Sequence, residues 1–136
     1  MRLNMKRVIV FAVLMIAGTA VLSAQKSAAA KAEFVETIHD FGNIAEADGD
    51  VTCRFVFKNT GKSPLIVVRA VASCGCTEPE HPKGPVAPGK TGEIKVTYHP
   101  KGRPGEFNKN IYVYTNGKPE KYTLLIKGVV IPGSKK

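Results

Sequence analysis

The fold class is decided by residues 51–58, which read VTCRFVFK. Cys53, Phe55 and Phe57 fall on one side of an extended chain, and the residues that alternate with them are mostly polar. A period of two is typical of a strand with one buried face and one wet face. We therefore predict a strand here, in which Cys53 is a small buried hydrophobe with little reactivity.

Five further runs of β-branched and aromatic residues, separated by Gly, Pro and Asn, predict more strands. They span residues 34–38, 65–72, 91–99, 107–114 and 122–130. The run at 65–72 is apolar except for Arg69, which favours a strand covered on both faces. Residues 78–89 are rich in proline and are predicted to form a loop. About seven short strands without a helical period predict an all-β, immunoglobulin-like two-sheet sandwich, with a small barrel as the alternative.

Residues 1–24 have the organisation of a secretory signal peptide. Arg2, Lys6 and Arg7 precede an apolar stretch at residues 8–22, and small residues follow it. The alternative is an uncleaved anchor, because this stretch is only slightly shorter than the ~17–25 residues that span a bilayer. Cleavage predicts a periplasmic or secreted protein without a membrane span. The remaining segments are a flexible lead-in, one Ig-like domain and a tail, at residues 25–31, 32–131 and 132–136.

The chain is basic, with 20 Lys and Arg against 11 Asp and Glu and a formal net charge of +9. Loss of residues 1–24 removes three cations and no anions, which leaves 17 cations against 11 anions. The remaining cations are scattered singly, apart from Lys135 and Lys136, without the basic and aromatic interleaving of a nucleic-acid groove. We predict no nucleic-acid partner. A chain of 136 residues, 43% of them hydrophobic, fits one globular domain and excludes large multidomain enzymes.

The motif Cys74-Gly75-Cys76 is the chemically specific feature of the sequence. Two thiols one residue apart can close a small disulfide, bind Cu(I), or exchange with other thiols. An exported compartment favours a local Cys74–Cys76 disulfide, and Gly75 supplies the backbone freedom of such a ring. Copper bound by both thiolates remains an alternative metal site. Zinc would need two more ligands, and His81 and His99 have no recognised spacing from the pair.

No catalytic constellation is evident elsewhere in the sequence. His39, His81 and His99 have no Ser or Cys nucleophile in a recognisable elbow, and no glycine loop precedes a helix to cradle a phosphate. Asp48 and Asp50 flank a glycine in a turn, where carboxylates usually cap backbone donors. We expect each of these residues to be a solvated loop residue. The sequence therefore predicts no enzyme, no catalytic residue and no cofactor.

Several short motifs occur in the order found in a known family. They are HDFGxI at 39–44, FxFxNTG at 55–61, SCGCT at 73–77 and GxFxK at 105–109. From about residue 33 to 130 the chain resembles the bacterial domain-of-unknown-function family 1573 of exported envelope proteins. That family is similar to the Ig-like domains of the major sperm protein, abnormal spindle and Hydin group. The resemblance implies an Ig-like β-sandwich and no agreed activity.

The motif residues are expected to have stability roles. We expect Phe41 and Ile44 to close one end of the sandwich, with Gly42 turning the chain between them. Asn59 and Gly61 are expected to form the turn that ends the strand at residues 51–58. These roles concern packing and turn formation and carry no chemistry.

The strand at 107–114 predicts a candidate interaction surface. Phe107 and Ile111 are expected to face the core, which places Tyr112 and Tyr114 on the opposite face beside Asn110. The commoner explanation of such tyrosines is packing under a second layer.

Two functions from different classes follow from these features. The favoured one is an exported, non-enzymatic module of the cell envelope, structural or protein-interacting, whose loops and sheet edges contact an envelope protein that the sequence does not identify. The alternative is a metal (copper) handling or thiol-redox protein that uses Cys74 and Cys76.

Overall fold

The structure, a computed structural model, describes residues 29–133. The predicted signal peptide at 1–24 lies outside the described residues. The strands are β1 (Ala32–Phe34), β2 (Ile38–Ala45), β3 (Val51–Asn59), β4 (Val67–Ala72), β5 (Thr77–Glu80), β6 (Thr91–Tyr98), β7 (Gly105–Thr115) and β8 (Lys121–Ile131). A single turn of 3-10 helix at Glu46–Asp48 joins β2 to β3. Within residues 29–133 no helix is long and apolar enough to cross a membrane.

The strands form two four-stranded sheets. The first sheet has the order β1-β3-β6-β5, and the second has the order β2-β8-β7-β4. Neighbouring strands are antiparallel, except that β2 runs parallel to β8. One hydrophobic core is shared by the inner faces of both sheets. The predicted all-β, immunoglobulin-like two-sheet sandwich is therefore confirmed.

The core of the first sheet follows the alternation seen in the sequence. In β3, Cys53, Phe55 and Phe57 are buried, and in β6 the opposing Ile94 and Val96 are 0% exposed. Residues from β7 and β8 meet them from the second sheet. These are Phe107, Ile111, Val113, Leu124, Ile126 and Val130. The strands predicted at 51–58, 91–99, 107–114 and 122–130 are all present, and the inward faces predicted for the first three are correct.

The opening strand predicted at 34–38 is wrong in its extent. The chain instead forms β1 and then β2, which belong to different sheets, and Val35 in the crossing between them is 77% exposed. The alternation of β2 is interrupted because Gly42 has a φ of +65° within a bulge between Asp40 and Asn43. Gly42 therefore bends the chain within a strand, where the sequence predicted a turn, and Phe41 and Ile44 on either side of it are partly buried against the core.

The strand predicted at 65–72 is not covered on both faces. It begins at Val67 as β4, pairs only with β7, and stands at an edge of the second sheet. Val68 and Val71 are 61% and 43% exposed. The apolar composition was a poor guide because composition does not reveal whether a strand lies at the centre or the edge of a sheet. Leu65, which is fully buried, forms an isolated bridge with Val86.

A strand was also missed in the proline-rich stretch at 78–89. β5 pairs with β6 and includes Pro79, whose missing N–H is tolerated because β5 is the edge of the first sheet.

Residues 29–31, which belong to the predicted flexible lead-in, are held by contacts with the sandwich. Ala30 is 2% exposed, and its carbonyl accepts a hydrogen bond of 3.0 Å from the Lys118 N–H.

Candidate functional site

Cys74 and Cys76 lie in the turn between β4 and β5. Their sulfur atoms are placed at bonding distance, and their Cα atoms are 5.4 Å apart, within the range of roughly 4.4–6.8 Å that a disulfide spans. The arrangement is that of the small ring predicted from the sequence. The redox state of the pair in solution stays a prediction.

The two sulfurs of this ring have different surroundings. Cys76 is 1% exposed, whereas Cys74 is only partly buried at the edge of the core. The Cys76 N–H donates a hydrogen bond of 3.3 Å to Cys74 Sγ. The buried hydroxyl of Thr77 lies 3.5 Å from Cys76 Sγ. Each sulfur therefore has one polar hydrogen donor within reach, but Cys76 as a residue is almost completely buried and Cys74 is only partly buried.

Cys53 is separate from this pair and is the free thiol of the described residues. It is 6% exposed, and burial raises its pKa to about 11. A thiol with this pKa is almost entirely protonated at neutral pH, so it is a poor nucleophile and a poor metal ligand. The interpretation of Cys53 as a packing residue is confirmed by its burial.

A carboxylate–histidine–carboxylate cluster lies beside the cysteine turn. His99 Nδ1 is 2.7 Å from Asp50 Oδ1, and His99 Nε2 is 3.4 Å from Glu78 Oε1. The backbone N–H of His99 also donates a hydrogen bond of 2.9 Å to the backbone carbonyl of Cys76. The hydrogen bond to Asp50 is the main cause that raises the pKa of His99, and it outweighs the opposing effect of desolvation.

Sequence reasoning missed this cluster and treated its members as separate loop residues. Asp50 precedes β3, His99 follows β6 and Glu78 lies in β5, so only the register of three strands brings them together. The signal that could have found them is positional. Each residue stands at the same end of a strand of the first sheet, because Tyr98 pairs with both Val51 and Thr77.

The structure gives the zinc alternative no additional ligands. Among residues 29–133, no group of three or more His, Cys, Asp or Glu side chains is arranged to hold a metal ion. His81 Nδ1 lies 2.9 Å from the carbonyl of its neighbour Pro82. A two-coordinate copper site would need only the two cysteine thiolates, and it stays a prediction.

Tyr112 and Tyr114 lie on the outer face of the second sheet, as predicted, and both are partly exposed. The Arg69 guanidinium carbon is 4.2 Å from the centre of the Tyr114 ring, and Lys121 Nζ is 4.5 Å from the centre of the Tyr112 ring. Cations at these distances over aromatic rings are attracted by the ring faces. We call these four residues, with Val71 opposite Tyr112 on β4, the tyrosine face.

The tyrosine face continues into the exposed edge of β4. Val68 and Val71 in β4 are 61% and 43% exposed, and Ile66, which precedes β4, is 44% exposed. β4 has a neighbour on one side only, so its other side presents backbone groups that no strand of the described chain pairs. An apolar edge strand of this kind can accept an extended segment of another chain.

Comparison with protein families bears out the resemblance inferred from the motifs. Residues 32–130 match the family described as protein of unknown function (DUF1573). A search of curated proteins returns no match.

Comparison with solved structures supports the Ig-like fold. A protein of unknown function from Porphyromonas gingivalis W83 gives a TM-score of 0.65 at 15% identity, covering 79% of this chain and 51% of that chain. The ASH / PapD-like domain of human CEP192 gives 0.60 at 13% identity, covering 88% and 99%. The Vibrio cholerae VesB protease gives 0.57 at 10% identity, covering 73% and 31%. These likenesses show the fold alone, and this chain spans about half the length of the P. gingivalis chain.

Proposed function

This chain belongs to the DUF1573 family, and from that premise we propose that it is an exported, non-enzymatic Ig-like module of the cell envelope that binds a partner protein. The observation that carries the proposal is the exposed apolar edge of β4, which is continuous with the tyrosine face. Neighbouring exposed apolar residues of this kind mark a candidate contact site for another protein.

Export rests on the sequence of residues 1–24, and its experiment is separate. The full chain is expressed in a Gram-negative host, and the protein is recovered from the periplasm or medium for intact mass measurement. We expect a mass that corresponds to cleavage after Ser23 or Ala24. A full-length chain that fractionates with the membrane would contradict the proposal in favour of an uncleaved anchor.

The edge of β4 supplies two kinds of contact to a partner. Its unpaired backbone groups can hydrogen-bond an added strand, and Val71, on the same face of β4 as Arg69, can pack against a side chain of that strand. Arg69 and Lys121 form no salt bridge within residues 29–133, so both cations can pair with a partner's carboxylates. We therefore commit to an extended, acidic segment of a partner protein as the occupant.

A photo-crosslinking amino acid at position 68 tests this docking surface in intact cells. The matched control places the same probe at position 35, where Val35 is even more exposed than Val68. We expect one protein with an acidic extended segment to be captured from position 68 and not from position 35. Arg69→Glu should reduce capture about tenfold, because it opposes the partner's charge. Equal capture from both positions, or full capture by the Arg69→Glu variant, would contradict the proposal.

A second candidate function is thiol exchange at Cys74 and Cys76. One observation favours it over copper binding, namely the unequal burial of two sulfurs that each have a hydrogen donor nearby. Exchange needs an accessible sulfur and a stabilised leaving sulfur, whereas a two-thiolate copper site needs both sulfurs free to bind the ion.

A further inference from the structure

We propose that Cys74 is the sulfur at which this protein forms mixed disulfides with external thiols, and that Cys76 is the sulfur released inside the fold. The proposal rests on the second candidate function and is independent of the docking surface on β4. It assigns unequal roles to two cysteines that the sequence alone presents as equivalent.

Access decides which sulfur an external thiolate can attack. Cys76 is 1% exposed, and its neighbour Thr77 is 4% exposed, so the core covers this side of the ring. Cys74 is only partly buried, and the residues on either side of it, Ser73 and Gly75, are exposed. Attack of a thiolate on a disulfide depends on reaching the sulfur, so Cys74 is the target.

The released sulfur must hold a negative charge at a position that is shielded from water. When the ring opens, the electron pair of the broken bond goes to Cys76 Sγ, which lies 3.5 Å from the Thr77 hydroxyl. That hydroxyl can rotate to donate a hydrogen bond to the thiolate, and bonds to charged acceptors are the stronger ones. This hydrogen bond opposes the cost of burying the thiolate, and a leaving thiolate that is better stabilised departs faster.

The exchange balances with thiols as the only co-reactants. An external thiolate attacks Cys74 Sγ, a new sulfur–sulfur bond forms there, and the Cys74–Cys76 bond breaks to leave the Cys76 thiolate. A second external thiolate then attacks the external sulfur of the mixed disulfide and releases the Cys74 thiolate. The external thiols are oxidised to one disulfide, and the protein pair is reduced. The Cys76 N–H, 3.3 Å from Cys74 Sγ, stabilises the Cys74 thiolate at this stage.

The first experiment measures single thiols in a Cys53→Ser background, which removes the buried thiol. Cys76→Ser leaves Cys74 as the reactive thiol, and Cys74→Ser leaves Cys76. Both purified variants are treated with glutathione disulfide, and adduct formation is followed by mass spectrometry. We expect the Cys74 thiol to react at least about tenfold faster than the Cys76 thiol, because attack requires access. In strong denaturant the two rates should become similar.

The second experiment uses the unsubstituted protein, so it does not depend on the folding of cysteine variants. The oxidised protein is mixed with reduced glutathione, quenched in acid within seconds, and fragmented to locate the adduct. We expect glutathione on Cys74. Thr77→Val should slow ring opening about tenfold, since it removes the donor to the leaving sulfur, while Thr77→Ser should retain the rate.

The outcomes distinguish a failure of this assignment from a failure of thiol exchange itself, the candidate function on which the assignment rests. Adducts on Cys76, or equal native rates at the two sulfurs, would overturn the assignment while thiol exchange itself would stand. A disulfide that stays closed in excess glutathione, with no adduct at either sulfur, would overturn both the assignment and the second candidate function.

Discussion

Asn59 illustrates at the scale of one residue how a polar side chain holds this sandwich together. It is fully buried, and its Nδ2 donates to the carbonyls of Ser63 and Val86 at 2.8 and 2.9 Å. Its Oδ1 accepts hydrogen bonds from the N–H groups of Lys31 and Gly61 at 3.3 and 3.0 Å. The side chain therefore joins the first described residues to two loops, a larger role than the turn closure that its sequence position predicts.

Asn59→Asp tests that role because it preserves the shape and removes the donor. The carboxylate would face two carbonyl oxygens without water, so we expect the free energy of unfolding to fall by about 3–5 kcal/mol. Urea denaturation measures the change. Asn108→Asp on the exposed face of β7 is the matched control and should change stability by less than about 0.5 kcal/mol. Equal effects of the two substitutions would contradict the buried role.

Phe55 tests the alternation from which the fold was predicted. It is 2% exposed in β3, so Phe55→Ala should lower the free energy of unfolding by about 3–5 kcal/mol through lost burial and a cavity. Val35→Ala, at a position 77% exposed, is the control and should have little effect. A melting temperature of the Phe55→Ala protein equal to that of the unsubstituted protein would mean that the inward face of β3 is wrongly identified.

At the scale of elements, the His99 cluster ties three strands of the first sheet at one end. Asp50 before β3 and Glu78 in β5 face the two ring nitrogens of His99, which follows β6. Both nitrogens can donate only when the imidazole is protonated, so the tie is complete only in the charged form. Since β5 is an edge strand that begins at the cysteine turn, the tie also fixes one side of that turn.

The pH dependence of stability should follow the titration of His99. The pKa of His99 is raised in the folded protein, so its contribution is complete below the unfolded pKa of about 6.5 and is lost as the pH rises through the folded pKa. His99→Gln should therefore cost at most about 1 kcal/mol at pH 6 and less at pH 9.

Urea denaturation at the two pH values measures this difference. His81→Gln is the control, because His81 contacts a neighbouring carbonyl and forms no ion pair within the described chain. Its effect on stability at pH 6 should be smaller than that of His99→Gln. A loss of stability on His99→Gln substitution that is larger at pH 9 than at pH 6 would contradict a stabilising role for the pairing of protonated His99 with Asp50 and Glu78.

The elements also show what sequence could and could not predict. Strands β3, β6, β7 and β8 were predictable because period-two alternation is a local property, and the same alternation placed Tyr112 and Tyr114 outward. The position of a strand within a sheet is not local, so the edge location of β4 and the strand pairing of Pro79 were missed. The His99 cluster was missed for the same reason, since its members come from three separate strands.

At the scale of the whole molecule, the sandwich divides its three cysteines into a buried free thiol, Cys53, and a pair in which Cys76 is buried and Cys74 is only partly buried. Alkylation in denaturant without reductant should therefore modify one thiol, on Cys53, in the intact mass spectrum. The same protein without denaturant should be modified slowly or not at all, because Cys53 is 6% exposed.

Two other results would change the interpretation of Cys74 and Cys76. Three alkylated thiols would refute the Cys74–Cys76 disulfide. Copper retained in proportion to protein, measured on the same sample by elemental analysis, would favour the metal-handling alternative over thiol exchange. Reduction before alkylation is the control and should give three modified cysteines.

The place of β8 in the second sheet has a consequence for how the polypeptide is delivered. Among residues 29–133, β8 is the last strand in chain order, yet it lies between β2 and β7, so β2 has no neighbour in its sheet until residues 121–131 have arrived. A chain that emerges amino terminus first, from a ribosome or a translocation channel, cannot complete either its core or its second sheet early. Connectivity alone thus makes residues 121–131 the segment whose arrival completes the second sheet during synthesis.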